Sequence, residues 1–163
     1  MKIKVRKGVE VKKAKNGNGL FATKGFKLGT RIFQIRGKLV TCYEDEDIDE
    51  TTRANTIRYD DELYISPEGY PSNYMNHSCE PNTRIVKIGD KLFAVTVSEV
   101  KKGEEIVFDY STIIASDDSW TMKCKCGSSS CRGIVGQFKK LPKKLKEKYL
   151  ALDMVPKYIQ EVL

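Results

Sequence analysis

Along the first residues of the chain, apolar side chains alternate with charged ones: Ile3, Val5, Val9 and Val11 stand between lysines, an arginine and a glutamate. A period of two is the mark of a strand with one buried face, and Gly8 interrupts it. Lys15-Asn16-Gly17-Asn18-Gly19 then reads as a loop, permissive in its backbone and able to turn free N–H groups toward a ligand. Leu20-Phe21-Ala22 resumes order, Gly25 and Gly29 mark a turn, and Thr30, Ile32, Phe33, Ile35, Leu39 and Val40 describe one or two further strands. Tyr59 to Ile65 reads as another, ended by Ser66-Pro67 and Glu68-Gly69. Residues 83–88 and 91–97, split by Gly89-Asp90, predict a hairpin with Ile85, Leu92, Ala94 and Val95 at its apolar positions. A turn at Lys102-Gly103-Glu104-Glu105 leads into Ile106 to Tyr110, and residues 111–123 read as a polar connector. From Leu141 the pattern becomes helical. Pro142 suits a first turn, Leu145, Tyr149 and Leu152 recur at helical spacing, and Pro156 starts a second short helix to Leu163. Short strands separated by glycine turns predict a mostly β chain of small sheets with C-terminal helices, not a βαβ unit.

Composition narrows the class. With 163 residues, 40% of them hydrophobic, the chain has enough apolar side chains for one core and a small appendage. No apolar run reaches the length of a membrane span and the start is not signal-like, so the expectation is a soluble intracellular protein, nuclear or cytoplasmic, with no membrane partner. The formal charge of +7 suits an acidic partner or a nucleic-acid-associated setting without requiring direct nucleic-acid binding. Five carboxylates between Glu44 and Asp49 read as a solvated insert or short helix, with a local docking surface for a basic substrate as the sharper alternative.

The chemistry is concentrated in Asn76-His77-Ser78-Cys79-Glu80-Pro81-Asn82, which holds the chain's single histidine. So polar a stretch is either a surface loop or a buried crossing whose polar groups all have partners. Farther on, Cys124-Lys125-Cys126 and Cys131 give three soft ligands on a bendable glycine- and serine-containing loop. A structural zinc site takes four ligands at tetrahedral geometry. Cys42 lies in a β-like run and is explained as a small buried apolar residue. Cys79, beside a proline in a loop, is the one that can be aimed. Free thiols or a disulfide pair are the alternative, disfavoured in an intracellular setting.

Four motifs then stand in order: Gly17-Asn18-Gly19-Leu20-Phe21-Ala22, the stretch 76–82, Gly103-Glu104-Glu105-Ile106-Val107-Phe108-Asp109-Tyr110, and the cysteine segment ending in Cys131-Arg132-Gly133. Together they resemble the SET-domain protein lysine methyltransferases with a zinc-binding post-SET segment attached, over residues 7–136. The resemblance implies a fold of small antiparallel sheets around a pseudoknot, with the segment of Asn76 and His77 threaded through a loop closed by the segment of Tyr110. It implies a SET domain over residues 1–115, a post-SET zinc-binding segment over 116–136 and a C-terminal helical extension over 137–163. It implies S-adenosylmethionine as cofactor, contacted by the backbone of Asn18, Gly19 and Leu20 and held by Tyr74, Asn76, His77 and Tyr110, with Ile134 or Phe138 covering the adenine. Tyr110 would be the catalytic tyrosine, and Phe108 would line the substrate lysine channel. Cys79, Cys124, Cys126 and Cys131 would hold one structural Zn²⁺. The partner implied is a protein with an accessible lysine, a histone-like tail first.

The chain departs from the family pattern at Asn73-Tyr74, where an Arg-Phe pair is common, and at Ser66, where an aspartate is usual. The 163 residues hold no cysteine-rich pre-SET region. From residues alone His77 is a rival general base, because an unperturbed imidazole titrates near neutrality. The resemblance gives it a structural and cofactor role instead. The competing functions are a non-catalytic module of the same fold that binds protein or nucleic acid, and the same enzyme aimed at a non-histone protein.

Overall fold

β1 (Val9–Ala14) and β2 (Gly17–Ala22) pair antiparallel from Val9↔Ala22 to Ala14↔Gly17 in the computed structural model, which describes residues 7–41 and 54–161. Ile3, Val5, Cys42 and the acidic run 44–49 lie outside the described residues. The hairpin turns on Lys15 and Asn16, so Gly17-Asn18-Gly19 is strand, not the loop that its composition predicts. Gly17, with a left-handed φ of 92°, serves the turn, but at Gly19 the reason is packing: a Cβ there would collide with the Glu105 carboxylate and with the Ala14 side chain. Here the missing side chain permits close approach and is not needed for a turn. The inward face carries Val9, Leu20 and Ala22, as the alternation requires.

β3 (Arg31–Ile35) is followed by a three-stranded sheet in the order β4 (Lys38–Thr41), β6 (Leu63–Ser66), β5 (Ile57–Arg58). The single strand expected from Tyr59 to Ile65 is instead a turn that joins two short strands. Tyr59 and Asp60 both donate their N–H to the Leu63 carbonyl. Arg58 organises that turn: its buried guanidinium donates to the Asp60 and Asp61 carbonyls and pairs with Asp117 at 2.6 Å.

The central sheet has five strands in the order β3, β9 (Lys91–Thr96), β8 (Thr83–Ile88), β10 (Val107–Phe108), β7 (Asn76–His77). The β8–β9 hairpin runs from Thr83↔Thr96 to Ile88↔Lys91, as the alternation predicts. β7 and β8 are consecutive in the chain, yet β10 lies between them and parallel to both. That interleaving is the crossing expected of the 76–82 and 106–110 segments, and its polar groups are satisfied by side chains. Asn82 Nδ2 donates to the Glu105 carbonyl, Asn82 Oδ1 accepts the Val107 N–H, and Thr83 Oγ1 donates to the Val107 carbonyl.

The polar connector expected over residues 111–123 holds only for 116–121. A 3-10 turn, Tyr110–Ile113, leads into Ile114 and Ala115, and Ile113, Ile114 and Ala115 are all buried. The polar residues on either side hide this apolar trio in the sequence. β11 (Met122–Lys123) then pairs with β12 (Ile134–Val135), bracketing the cysteines. Pro142 and Pro156 precede helices α1 (Lys143–Ala151) and α2 (Lys157–Gln160). Tyr149, Met154, Val155, Tyr158 and Ile159 from this extension join the same core as Leu20, Ile85 and Phe108. Each such side chain contributes about 1.5–3 kcal/mol on burial, so the extension is part of the fold. Among the described residues no helix is long and apolar enough to cross a membrane.

Candidate active site and thiol cluster

Asn76, at the start of β7, reaches back to the β1–β2 hairpin. Its Nδ2 donates to the Asn18 carbonyl at 3.0 Å and to Glu105 Oε1 at 2.7 Å, and that same carboxylate lies against Gly19. Three of the four sequence motifs therefore meet at one amide side chain. Leu20 is wholly buried, and its carbonyl accepts the Ile106 N–H at 2.7 Å. Tyr74 closes a 3-10 turn, Pro71–Tyr74, that packs against both strands of the hairpin.

His77 is buried, and both of its ring nitrogens are engaged. Nδ1 accepts the Tyr110 N–H at 3.2 Å, and Nε2 lies 3.3 Å from Cys79 Sγ. Burial drives its pKa down to about 4, against the pull of Asp109 and with the help of Arg132. A neutral ring accepting at Nδ1 carries its proton on Nε2, directed at sulfur. Such a ring orients its neighbours. It has no lone pair free for a reacting amine, and it does not line the cavity described next.

That cavity, of about 260 Å³, is walled by Phe108, Tyr110, Ile57, Tyr64, Met75 and Trp120, among others. The Phe108 and Tyr110 ring centroids are 4.8 Å apart, and Trp120 stands 6.3 Å from Tyr110 at 45°. The Tyr110 hydroxyl donates to the Met75 carbonyl at 2.8 Å. Burial, then the charge of Glu105, pushes the phenol's pKa up, so Tyr110 remains a protonated donor. Aromatic faces around a slot of this size suit an aliphatic stem ending in an ammonium. Trp120 has no part in the four motifs. Its one signal in the sequence is that it is the chain's single tryptophan, placed between the connector and the cysteines.

Beyond the sheet, thiols converge. The ligand atoms of His77, Cys79, Cys124 and Cys126 all lie within 4.8 Å of one another, and Cys79 Sγ is 3.8 Å from Cys124 Sγ. Two thiolates on a tetrahedral zinc with Zn–S near 2.3 Å stand about 3.8 Å apart, so the spacing fits such an ion. Cys131 sits beside this group, with its Sγ 3.9 Å from the Cys124 carbonyl. Burial pushes the Cys79 and Cys124 thiols up, while at Cys126 the Cys79 backbone and the Ser128 hydroxyl overcome burial and pull the pKa down to about 6. Thiols crowded this closely are a site that a cation organises by displacing protons. Glu80 ties the two halves of the site together. Its carboxylate accepts from Ser129 Oγ at 2.8 Å, Ser130 Oγ at 2.7 Å and the Ser130 N–H at 3.2 Å.

Arg132 and Asp109 join the two sites. The Arg132 guanidinium grips the buried Asp109 carboxylate through Nη1 at 2.7 Å and Nη2 at 2.8 Å, while the Arg132 N–H points at Cys79 Sγ at 3.4 Å. Of the two residues expected to cover an adenine, Phe138 is 0% exposed inside the core and Ile134 is 64% exposed. Only Ile134 offers surface.

A small-sheet β fold with interleaved strands, a tyrosine in an aromatic slot and an adjoining thiol cluster defines a narrow class. The SET domain family model matches residues 17–111, and the chain belongs to the SET-domain family. It is 29% identical over 129 residues to the histone-lysine N-methyltransferase, H3 lysine-4 specific, of Cryptococcus neoformans, which covers 72% of this chain and 9% of that protein. It is 31% identical over 134 residues to the human histone-lysine N-methyltransferase SETD2, covering 75% of this chain and 5% of the relative. A human histone-lysine N-methyltransferase, H3 lysine-36 specific, is 31% identical over 135 residues, 69% of this chain and 5% of its own length. The chain thus spans less than a tenth of the length of these relatives.

Proposed function

We propose that this chain is an S-adenosylmethionine-dependent protein-lysine N-methyltransferase that acts on an accessible lysine of a histone-like tail in a nuclear or cytoplasmic setting. The observation that carries the reading is Tyr110, its hydroxyl held by the Met75 carbonyl at the wall of an aromatic-lined cavity. A module that only bound protein would need neither this tyrosine nor an aromatic-lined cavity beside it.

The cofactor supplies an electrophilic methyl group. On this reading the backbone of Asn18, Gly19 and Leu20, with Tyr74, Asn76, His77 and Tyr110, holds it, and Ile134 covers the adenine in preference to Phe138. The lysine must arrive as a neutral amine, and a narrow, poorly solvated slot lowers the ammonium pKa. Phe108, Tyr110 and Trp120 hold the lysine stem straight, which supplies the alignment an in-line displacement needs. The Tyr110 hydroxyl orients the amine and steadies the charge that moves as the bond forms. Cys79, Cys124, Cys126 and Cys131 hold one structural Zn²⁺, with the His77 Nε2–H donating to the Cys79 thiolate. The thiol spacing and the sulfur-facing tautomer of His77 support this division of roles. The SET domain then occupies residues 1–115, the zinc-binding segment 116–136 and the helical extension 137–163.

The test is methyl transfer from labelled S-adenosylmethionine onto core histones and onto a cell lysate, with Tyr110→Phe alongside. Label on histone lysine that disappears in the variant supports the reading. Label only on lysate proteins moves the substrate elsewhere. No transfer by zinc-loaded protein that binds the cofactor favours the non-catalytic module.

A further inference from the structure

We propose that Tyr149, in helix α1, is a positioning residue for methyl transfer, so that the C-terminal extension is a working part of the active site. The inference rests on the methyltransferase reading above and deepens it.

Asp109 immediately precedes Tyr110, and its carboxylate is entirely enclosed by protein. A buried carboxylate is tolerated only when paired and hydrogen-bonded on all sides. Oδ1 receives the Ser111 N–H at 3.0 Å and Arg132 Nη2 at 2.8 Å. Oδ2 receives the Tyr149 hydroxyl at 2.9 Å and lies 2.7 Å from Arg132 Nη1 as an ion pair. Three segments far apart in the chain therefore converge on one group: the residues around Tyr110, the residue after Cys131, and α1.

Tyr149 is the only one of these donors from the helical extension, beyond the span 17–111 matched by the family model. It is also the buried residue of α1, so the helix is docked through the side chain that reaches Asp109. Its phenol stays protonated, because burial and the neighbouring Asp109 push its pKa up. Without that hydroxyl, Oδ2 loses its one hydrogen-bond donor and keeps only the ion-pair contact with Arg132, so the carboxylate is held at Oδ1, through the Ser111 N–H and Arg132 Nη2, and can pivot about it. Arg132 carries the thiol loop with it through its N–H on Cys79, and Asp109 carries the peptide of Tyr110. Sites of this kind hold geometry to within about 0.5 Å, and small displacements cost rate before they cost binding.

The chain contains its own control. Tyr158, on α2, is an equally buried phenol of the same extension, and its hydroxyl donates to the Arg58 backbone carbonyl at 2.8 Å. Tyr149→Phe and Tyr158→Phe each remove one buried hydroxyl. Only the first touches Asp109.

The experiment compares these two variants with the wild type as zinc-loaded protein. Expected are similar falls in thermal midpoint for both variants. For Tyr149→Phe we expect kcat down about tenfold with cofactor KM within about twofold, and for Tyr158→Phe kcat within about twofold of wild type. Amide exchange at Ser111 and Arg132 gives a second readout that needs no turnover. It should accelerate in Tyr149→Phe and not in Tyr158→Phe. If the wild type transfers no methyl, the exchange arm still decides the positioning role while the functional reading fails. Equal kcat losses in the two variants, or unchanged exchange at both amides in Tyr149→Phe, would overturn the proposal.

Discussion

Replacing Tyr110 by phenylalanine separates catalysis from stability on numbers that the site itself supplies. The ring is held by His77, Phe108 and Trp120 at centroid distances of 5.3, 4.8 and 6.3 Å, and none of these contacts uses the hydroxyl. The single bond lost is the one to the Met75 carbonyl at 2.8 Å. A bond of that kind is worth about 1 kcal/mol net, and leaving the carbonyl unpaired raises the cost to about 1–3 kcal/mol. For a domain of this size that is a fall of a few degrees in thermal midpoint, roughly 2–4 °C per kcal/mol. Against a total stability of about 5–15 kcal/mol, nearly all molecules stay folded at assay temperature. A donor positioned where charge shifts is worth about 10²–10³ in rate. Loss of turnover should therefore exceed by far anything unfolding explains, and it should fall on kcat, not on cofactor affinity. Single-turnover transfer to a peptide, with cofactor affinity by calorimetry, measures both. Near-normal turnover in Tyr110→Phe, together with a folded but inactive His77→Ala, would require the two roles to be exchanged.

Phe108 is buried in the slot wall beside Tyr110 and offers no hydroxyl to hold a water next to the amine. Mass spectrometry of a saturating reaction should find dimethyl or trimethyl lysine with the wild type and a stall at monomethyl with Phe108→Tyr. An ordered water is worth up to about 2 kcal/mol, which gives a tenfold or larger preference. A wild type that stops at monomethyl in excess cofactor refutes this. Metal analysis should return one zinc per chain, lost in Cys79→Ser, Cys124→Ser, Cys126→Ser and Cys131→Ser and kept in Cys42→Ser. Chelation should lower the thermal midpoint, and full zinc in Cys79→Ser would sink the assignment. Gly19→Ala forces the Glu105 carboxylate off its seat and takes Asn76 with it, an overpacking of about 1–3 kcal/mol. Thermal shift and cofactor titration should both report the loss, and unchanged values in both would show that the hairpin yields freely.

How much could be read from the chain beforehand follows from what each signal is made of. The β8–β9 hairpin was legible because Ile85, Leu92 and Ala94 alternate over a ladder long enough to show a period. The helices were legible from Pro142 and Pro156, and the thiol cluster from ligand chemistry that depends little on fold. β7 and β10 have two residues each, too few for any period, so their pairing was readable only through the family resemblance. The turn at 59–62 was missed because Arg58 builds it from a buried position that a strand pattern does not reveal. Glu80 and Arg132 stand inside the motifs and Tyr149 in the helical pattern, yet none carries a site role in the sequence, since a carboxylate, a guanidinium and a phenol become informative only when their partners, up to 50 residues away for Glu80 and Ser130, are known. The three glycine-rich residues of β2 were misread for a related reason. Glycine reports freedom of the backbone and not whether that freedom serves a turn or a close neighbour.

The insertion of β10 between β7 and β8 also sets the order in which the chain can fold. Two strands that follow one another in sequence cannot take their final places until a segment roughly thirty residues downstream has arrived to separate them. On the ribosome, the 76–82 stretch leaves the tunnel with its amides and carbonyls unpartnered, and Asn82 must wait for Glu105 and Val107. The β1–β2 and β8–β9 hairpins, closed by short turns, are free to form first. The centre of the sheet can close only once residues 105–110 are available to pair with β7 and β8. A pause in synthesis just before Glu105 would hold the nascent chain with a gap in its sheet, the state in which chaperones have most to grip.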